Sequence, residues 1–191
     1  MGTWIAILVV AVIVVAVLIA LWVMYNGLVS ARLRVKEAWS GIDVQLKRRS
    51  SLIPNLVETV RGYAAHERET LDSVTQARAM LDQAQTPGQA AQADNILTSA
   101  LRSLFAVAEA YPDLKANENF LHLQRELTDT EDKIAYSRQF YNANVRNYNE
   151  KTQVFPNVFV ARMFGFHEEE FYEAEEAARD DIRVDFGAAR A

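Results

Sequence analysis

Cysteine is absent from this chain, and proline and glycine are scarce, with four and seven in 191 residues. Without a thiol there is no thiolate nucleophile and no cysteine-based metal site, and a lipoprotein anchor has no attachment point. The same absence fits either side of a membrane. Strand signals are missing too: no run alternates convincingly between apolar and polar residues, and no hairpin signal is present. No glycine-rich phosphate loop occurs. His66, His122 and His167 are scattered. His66-Glu67 lacks the second His of a zinc-protease helix. Glu118 and His122 are four apart, whereas di-iron bundles repeat Glu-x-x-His on paired helices. No metal or other cofactor is expected, and hydrogen bonding at a surface or between helices is the ordinary reading of each His. Ser99 and Ser103 have no visible base. The sequence therefore predicts a protein without catalysis.

Charge is also missing from one long stretch. From Trp4 to Val23 the chain reads WIAILVVAVIVVAVLIALWV, with no charged residue, Gly or Pro. At about 1.5 Å per residue it spans roughly 30 Å, the thickness of a bilayer's hydrocarbon core. Fourteen of the twenty are Ile, Leu or Val, which together favour insertion by roughly 4–8 kcal/mol. A cleaved signal peptide needs a positive n-region, a shorter apolar stretch and a small-x-small site. Met1-Gly2-Thr3 has no charged side chain, and Ile19-Ala20-Leu21-Trp22 offers no such site. Ala6 breaks the pattern for myristoylation of Gly2. The expectation is a retained single span with Trp4 at one interface and Trp22 and Tyr25 at the other, as an aromatic belt requires. Arg32, Arg34 and Lys36, then Lys47, Arg48 and Arg49, follow the run, and Lys/Arg excess marks the cytoplasmic side. The sequence thus predicts a cytoplasmic (inner) membrane protein, N-terminus outside and C-terminal domain in the cytoplasm.

The net charge of −5 is unevenly spread. Residues 167–191 hold nine Asp or Glu against three Arg, a balance of −6 that leaves +1 for the rest. The acidic end reads as a solvated helix face and tail, with a docking surface for a basic partner as the alternative. No large basic surface is implied, so nucleic acid is not an expected partner.

The breaks at Pro54, Pro87-Gly88, Pro112, Pro156 and Gly165 separate stretches of helical apolar spacing. From Leu28 to Gln85, positions 39, 46, 53, 60, 67, 74 and 81 interleave with 42, 49, 56, 63, 70 and 77 in a 3-4 seam. Arg49, Glu67 and Thr70 interrupt it. The seam keeps register through Pro54, which predicts one helix kinked near Ser50–Pro54 rather than broken. Thr86-Pro87-Gly88-Gln89 matches a capping box with Pro at the first helical position. Leu97, Leu101, Leu104, Ala108 and Tyr111 follow as a stripe closed by Pro112. Asn117 is a good N-cap for a third helix. Phe120, Leu127, Ile134, Tyr141, Tyr148 and Phe155 form an unbroken row at a seven-residue spacing, the mark of a long helix packed along another. Pro156 ends it, and Asn157 is placed as the cap of a short helix over Val158–Phe164 closed by Gly165. A last acidic helix from about Glu168 carries Phe171, Tyr172 and Ala178 inward. Only Asn26-Gly27 separates the span from the first bundle helix, which leaves their continuity open.

Two polar features stand out. Asp43-Val44-Gln45-Leu46-Lys47-Arg48-Arg49 clusters charge on a helix beside Trp39. It reads first as a solvated face with interhelical salt bridges, because its three cations fall short of a lipid-headgroup cluster; a contact for headgroups or a partner is the alternative. The pairs Tyr141-Asn142 and Tyr148-Asn149 repeat one heptad apart, on a helix where Asn is a poor interior residue. Hydrogen bonds to neighbouring helices that fix their register are the first reading; a ligand site between helices is the second. Trp39, Asp43, Gln45, Lys47, Arg48, Arg49, Tyr141, Asn142, Tyr148 and Asn149 are the candidate interaction residues.

These residues carry a resemblance to the LemA family. It begins at Tyr25-Asn26 and takes in Val35, Ala38-Trp39-Ser40, Ile42-Asp43-Val44-Gln45-Leu46-Lys47-Arg48-Arg49, Leu52-Ile53-Pro54-Asn55-Leu56-Val57 and Gly62-Tyr63-Ala64-Ala65-His66-Glu67. It resumes at Tyr111-Pro112-Asp113-Leu114-Lys115-Ala116-Asn117, Leu123-Gln124-Arg125-Glu126-Leu127 and Thr130-Glu131, then both Tyr-Asn pairs and Gly165-Phe166. Ser51 departs from it, where the family commonly has an acidic residue. The resemblance implies a bacterial membrane protein with one N-terminal span, an α-helical bundle and no known enzymatic activity.

The expected fold is all-α: a tail at 1–3, a transmembrane helix at 4–25, an antiparallel elongated bundle of about four helices at 26–166, and an acidic helix and tail at 167–191. The expected function is a membrane-anchored scaffold or protein-interaction module at the cytoplasmic face; the alternative is a small-ligand sensor with its pocket near the Tyr-Asn pairs. The expected partners are the lipid bilayer, through the N-terminal helix, and a protein, with self-association left open.

Overall fold

The computed structural model describes residues 2–173. Among them there are no strands, and six helices follow one another: α1 (Gly2–Arg61), α2 (Arg68–Gln83), α3 (Pro87–Glu109), α4 (Pro112–Lys115), α5 (Glu118–Gln153) and α6 (Asn157–Phe164). The span and the first bundle helix are one helix of 60 residues. No side chain from Gly2 to Ala20 is buried, whereas from Leu28 onward α1 buries Ala31, Val35, Ala38, Ile42, Leu46 and then Ile53, Leu56 and Val60. The alternating steps of three and four keep one face on a partner helix. That partner is α5, which runs back along α1 and buries Phe120, Leu127, Ile134, Tyr141, Val145 and Tyr148 against it. The α2–α3 hairpin covers the half of this pair far from the N-terminus, and α6 packs on the near half, against Leu21, Met24 and Leu28.

As the seam in register predicted, Pro54 does not break the helix, but the stretch from Leu28 to Gln85 is broken elsewhere. The helix runs through Pro54, which is exposed and costs α1 only one backbone donor. It ends at Arg61, and the chain reverses through Gly62–Glu67. Two tertiary bonds hold this reversal: Asn117 Nδ2 donates to the Tyr63 hydroxyl at 3.0 Å, and the Tyr111 hydroxyl donates to Glu67 Oε1 at 3.1 Å. Ala64 drops into the core in the middle of the turn. Tyr63, placed in the seam by spacing, is exposed.

The caps predicted at Thr86, Asn117 and Gly165 form. Thr86 Oγ1 accepts from the Gln89 amide at 3.3 Å, and the Gln89 side chain reaches back to the Gln85 amide at 3.0 Å. Asn117 Oδ1 accepts from the Phe120 amide at 3.0 Å. Gly165 closes α6 with φ of 70°, the left-handed conformation that glycine reaches without a Cβ penalty. Three expectations are corrected. Asn157 is the first residue of α6 rather than its cap, a position held by Pro156. Phe155 does not continue the seven-residue row, because α5 ends at Gln153 and the ring is 80% exposed. Finally, residues 166–173 form no helix. They run extended against α5, with Tyr172 buried and Phe171 half-buried; Ala178 lies outside the described residues.

Candidate interaction site around Arg49 and the Tyr-Asn pairs

A helix turns about 100° per residue, so seven consecutive residues cannot share one face. The polar cluster on α1 divides accordingly. Lys47 Nζ pairs with Asp43 at 2.6 Å on the exposed side, one turn apart. Arg48 reaches across to α5, 2.7 Å from Glu126 and 3.4 Å from Asp129. The Gln45 side-chain oxygen is buried with no hydrogen-bond partner among the described residues. Arg49 points into the core and is 2% exposed.

Arg49 is the centre of a buried polar group. Its Nη1 donates to Asp94 Oδ1 of α3 at 2.6 Å, and its Nη2 donates to Thr98 Oγ1 at 2.9 Å. The Tyr172 hydroxyl donates to the other Asp94 oxygen at 3.3 Å. The Arg49 interruption of the apolar seam is therefore a cross-link between α1 and α3, completed by a residue from the C-terminal extended segment. Burial pushes the Asp94 carboxyl above its usual range despite the opposing pull of Arg49. Burial, then the neighbouring Asp94 charge, pushes the Tyr172 phenol up strongly, which keeps it a neutral donor.

The Tyr-Asn pairs meet the same segment. Asn149 exchanges two hydrogen bonds of 2.9 Å with the backbone of Glu169, donating to its carbonyl and accepting from its amide. Asn142 does the same with Tyr172, again at 2.9 Å in both directions. Each amide side chain thus pairs with an extended backbone as a neighbouring strand would. The spacing explains the repeat. Seven helical residues rise about 10.5 Å, and three extended residues cover about 10 Å, so amides at 142 and 149 fall opposite residues 172 and 169. The Tyr141 hydroxyl donates to the Glu170 carbonyl at 2.7 Å. Burial, followed by Glu169 and Glu170, pushes this phenol up to about 12. The Tyr148 ring is buried, with its hydroxyl unpartnered among the described residues. Trp39 lies 5.7 Å from Tyr141 and 6.3 Å from Tyr172, ring centre to ring centre.

The Asn side chains were expected to bond neighbouring helices; they hold the chain's own C-terminal segment instead, and that segment occupies the recess where a ligand would sit. The described grooves lie elsewhere. One of about 380 Å³ is lined by Asn55, Glu58, Thr59, Asn119, His122 and Leu123 between α1 and α5. Another, of about 500 Å³, lies between α2 and α3 beside Met80 and Ile96. Among the described residues no group of three or more His, Asp or Glu is placed to hold a metal ion. Nothing in the local sequence marked Asp94, Thr98 or Tyr172 as partners of Arg49. The one available signal was the Tyr-Asn repeat, whose rise matches a three-residue extended step.

A test of the clamp follows. Asn142→Ala and Asn149→Ala each leave a backbone amide and carbonyl unpaired, and each should cost about 1–3 kcal/mol. Thermal unfolding should show the loss, and hydrogen exchange should show the amide of Tyr172 or Glu169, respectively, losing protection. Unchanged melting and unchanged exchange in both variants would remove the clamp.

A profile of the LemA family matches residues 38–186. Protein LemA of Metamycoplasma hominis is 30% identical over 162 residues, covering 82% of this chain and 72% of that protein. Magnetosome protein MamQ 2 of Paramagnetospirillum magneticum is 27% identical over 195 residues, covering 88% and 72%. Magnetosome protein MamQ of Magnetospirillum gryphiswaldense is 25% identical over 194 residues, covering 88% and 71%.

Proposed function

The chain belongs to the LemA family, and from that membership we propose that it is a membrane-anchored helical scaffold, a protein-interaction module that carries out no catalysis. The observation that carries this reading is the continuity of α1 from Gly2 to Arg61. Its first turns have the length and hydropathy to cross a membrane, and among the described residues none from Gly2 to Ala20 is buried. A core helix of a soluble protein would bury such a run. A cleavable leader would carry a positive n-region and a small-x-small site, and neither is present before or within the run. The bundle is thus held at the membrane by a rigid element rather than a tether. Residues 4–25 form the span, and the cations after it favour a cytoplasmic bundle with the N-terminus outside.

The surface offered to a partner is the outward face of α1 around Asp43, Val44 and Lys47, where Val44 is an exposed apolar residue beside an exposed ion pair. Photocrosslinkers at these three positions, in cells, should give discrete protein adducts. No adduct from any of the three would overturn the scaffold reading. Sidedness is tested separately. The chain has no native Cys, so an Ala106→Cys variant on the exposed side of α3 reports alone. A membrane-impermeant maleimide should label it only after the cells are permeabilised; ready labelling of intact cells would reverse the topology.

A further inference from the structure

α6 is apolar almost all the way round, and only one side of it is covered. Val160 and Ala161 face inward and pack on Leu28, with Leu21, Met24 and Phe166 around them. Its other side leaves Phe159 62%, Met163 70% and Phe164 54% exposed, and Phe155 just ahead of it 80% exposed. The Phe155 and Phe159 rings meet edge to face at 6.0 Å, Met163 follows Phe159 one helical turn on, and Phe164 meets Tyr25 of α1 edge to face at 5.0 Å. Arg162 is the single charged residue of the helix.

The patch is continuous with the apolar surface of the span. α6 sits on α1 at Leu21, Met24 and Leu28, where the uncharged run ends. Those three residues cover roughly 10 Å of α1 at 1.5 Å per residue. Their stretch begins in the last turn of the hydrocarbon-crossing segment and extends about 7 Å beyond it, across the headgroup layer. An amphipathic helix bound at an interface lies in that layer, with its apolar side 5–10 Å into the boundary with the acyl chains. An exposed apolar patch of this kind marks an interaction site, and its level on α1 identifies the occupant.

We infer that α6 is a second membrane contact: it lies in the interface of the leaflet from which α1 emerges, with Phe155, Phe159, Met163 and Phe164 among the upper acyl chains and Arg162 extended to lipid phosphates. This rests on the reading that residues 4–23 cross the bilayer. It adds that the bundle is seated on the lipid surface by α6 and does not stand clear of it on a single helix.

Nitroxide labels on single cysteines in the full chain test both statements. The label is placed at Phe159→Cys, Met163→Cys, Val12→Cys in mid-span and Arg146→Cys on the exposed side of α5. The protein is reconstituted in vesicles of phosphatidylethanolamine and phosphatidylglycerol, and collision rates with oxygen and with a water-soluble nickel chelate are read by power saturation. The expected order of nickel accessibility is 146 highest, 159 and 163 several-fold lower, and 12 lowest, with oxygen in the reverse order. If 159 and 163 match 146 while 12 stays shielded, the span holds and the interfacial helix is overturned. If 12 is as accessible to nickel as 146, the span itself fails. If 159 and 163 are shielded from both reagents and show dipolar broadening between labels, a second copy of the chain covers the patch, and the lipid contact is overturned. All three probed side chains of α6 and the span are exposed, so the labels leave the fold intact.

Discussion

Replacing Arg49 with methionine is expected to lower the stability of the folded chain by about 3–5 kcal/mol near neutral pH, because it leaves a buried charge without its partner. Methionine fills much of the same volume, so the loss reports charge rather than a cavity. The Asp94 carboxylate would keep only the Tyr172 hydroxyl as a donor. Burial already pushes this carboxyl above its usual range with Arg49 in place, and without the guanidinium the rise is larger. The sign of the pH dependence follows. An Asp in the unfolded chain titrates near 4, and in the folded variant it titrates higher. Between the two values the folded state holds a proton that the unfolded chain releases, so stability falls as pH rises through that window. The penalty of Arg49→Met should therefore shrink toward about pH 5 and be fullest above neutrality. Thermal unfolding in detergent, followed by circular dichroism at the two pH values, measures it. Arg49→Met combined with Asp94→Leu should recover most of the loss, since an apolar pair can replace a buried ion pair at little cost. Equal penalties at both pH values, with no recovery in the double variant, would mean that Asp94 does not face Arg49 in a dry core.

Tyr172→Ala should cost about 3–5 kcal/mol, the range for truncating a buried aromatic ring. The residue is the eighth after α6, in an acidic stretch whose spacing turns it inward on a helix that does not form there. Yet its ring is buried beside Trp39 and its hydroxyl completes the Arg49–Asp94 pair. Losing it should release the extended segment, so a protease added under native conditions should cut between 166 and 173 faster than in the parent. Tyr172→Phe keeps the ring and loses one hydrogen bond, and should cost only about 1 kcal/mol. An Ala variant that melts like the parent and resists the protease would show that the segment does not belong to the core.

The helices were readable because apolar periodicity records which residues are buried. It does not record direction. Val60, Glu67 and Val74 fall in one seven-residue row, but the chain reverses between the first and the last of them. A seam that stays in register across a turn looks the same as one that stays in a helix. The turn is fixed by Asn117 and Tyr111, far along the chain, and local spacing carries no trace of them. At Pro54 the same periodicity gives the right answer, one helix carried through the proline. It is the strongest local breaker, yet on the exposed side of a packed helix it costs one hydrogen bond, and the tertiary contacts of its neighbours outweigh that. The C-terminal segment escaped because its partners are side-chain amides 20–30 residues away, and such pairs impose no periodicity on the segment they hold. The Tyr-Asn repeat was visible as an anomaly for a helix interior. It reads as bonding neighbouring helices, and its actual partner is the backbone of Glu169 and Tyr172.

The unbroken α1 has a mechanical consequence. A stiff rod through a bilayer works as a lever. From Val23 to Arg61 it extends roughly 57 Å at 1.5 Å per residue. Membrane-crossing helices lean to match the thickness of their surroundings, by about 20° on average. A change of about 10° in that lean would carry the far end of the bundle sideways by roughly 10 Å over such a length. Thickening or thinning of the membrane would therefore reach the Tyr63–Asn117 end of the molecule as lateral displacement, carried by one continuous helix.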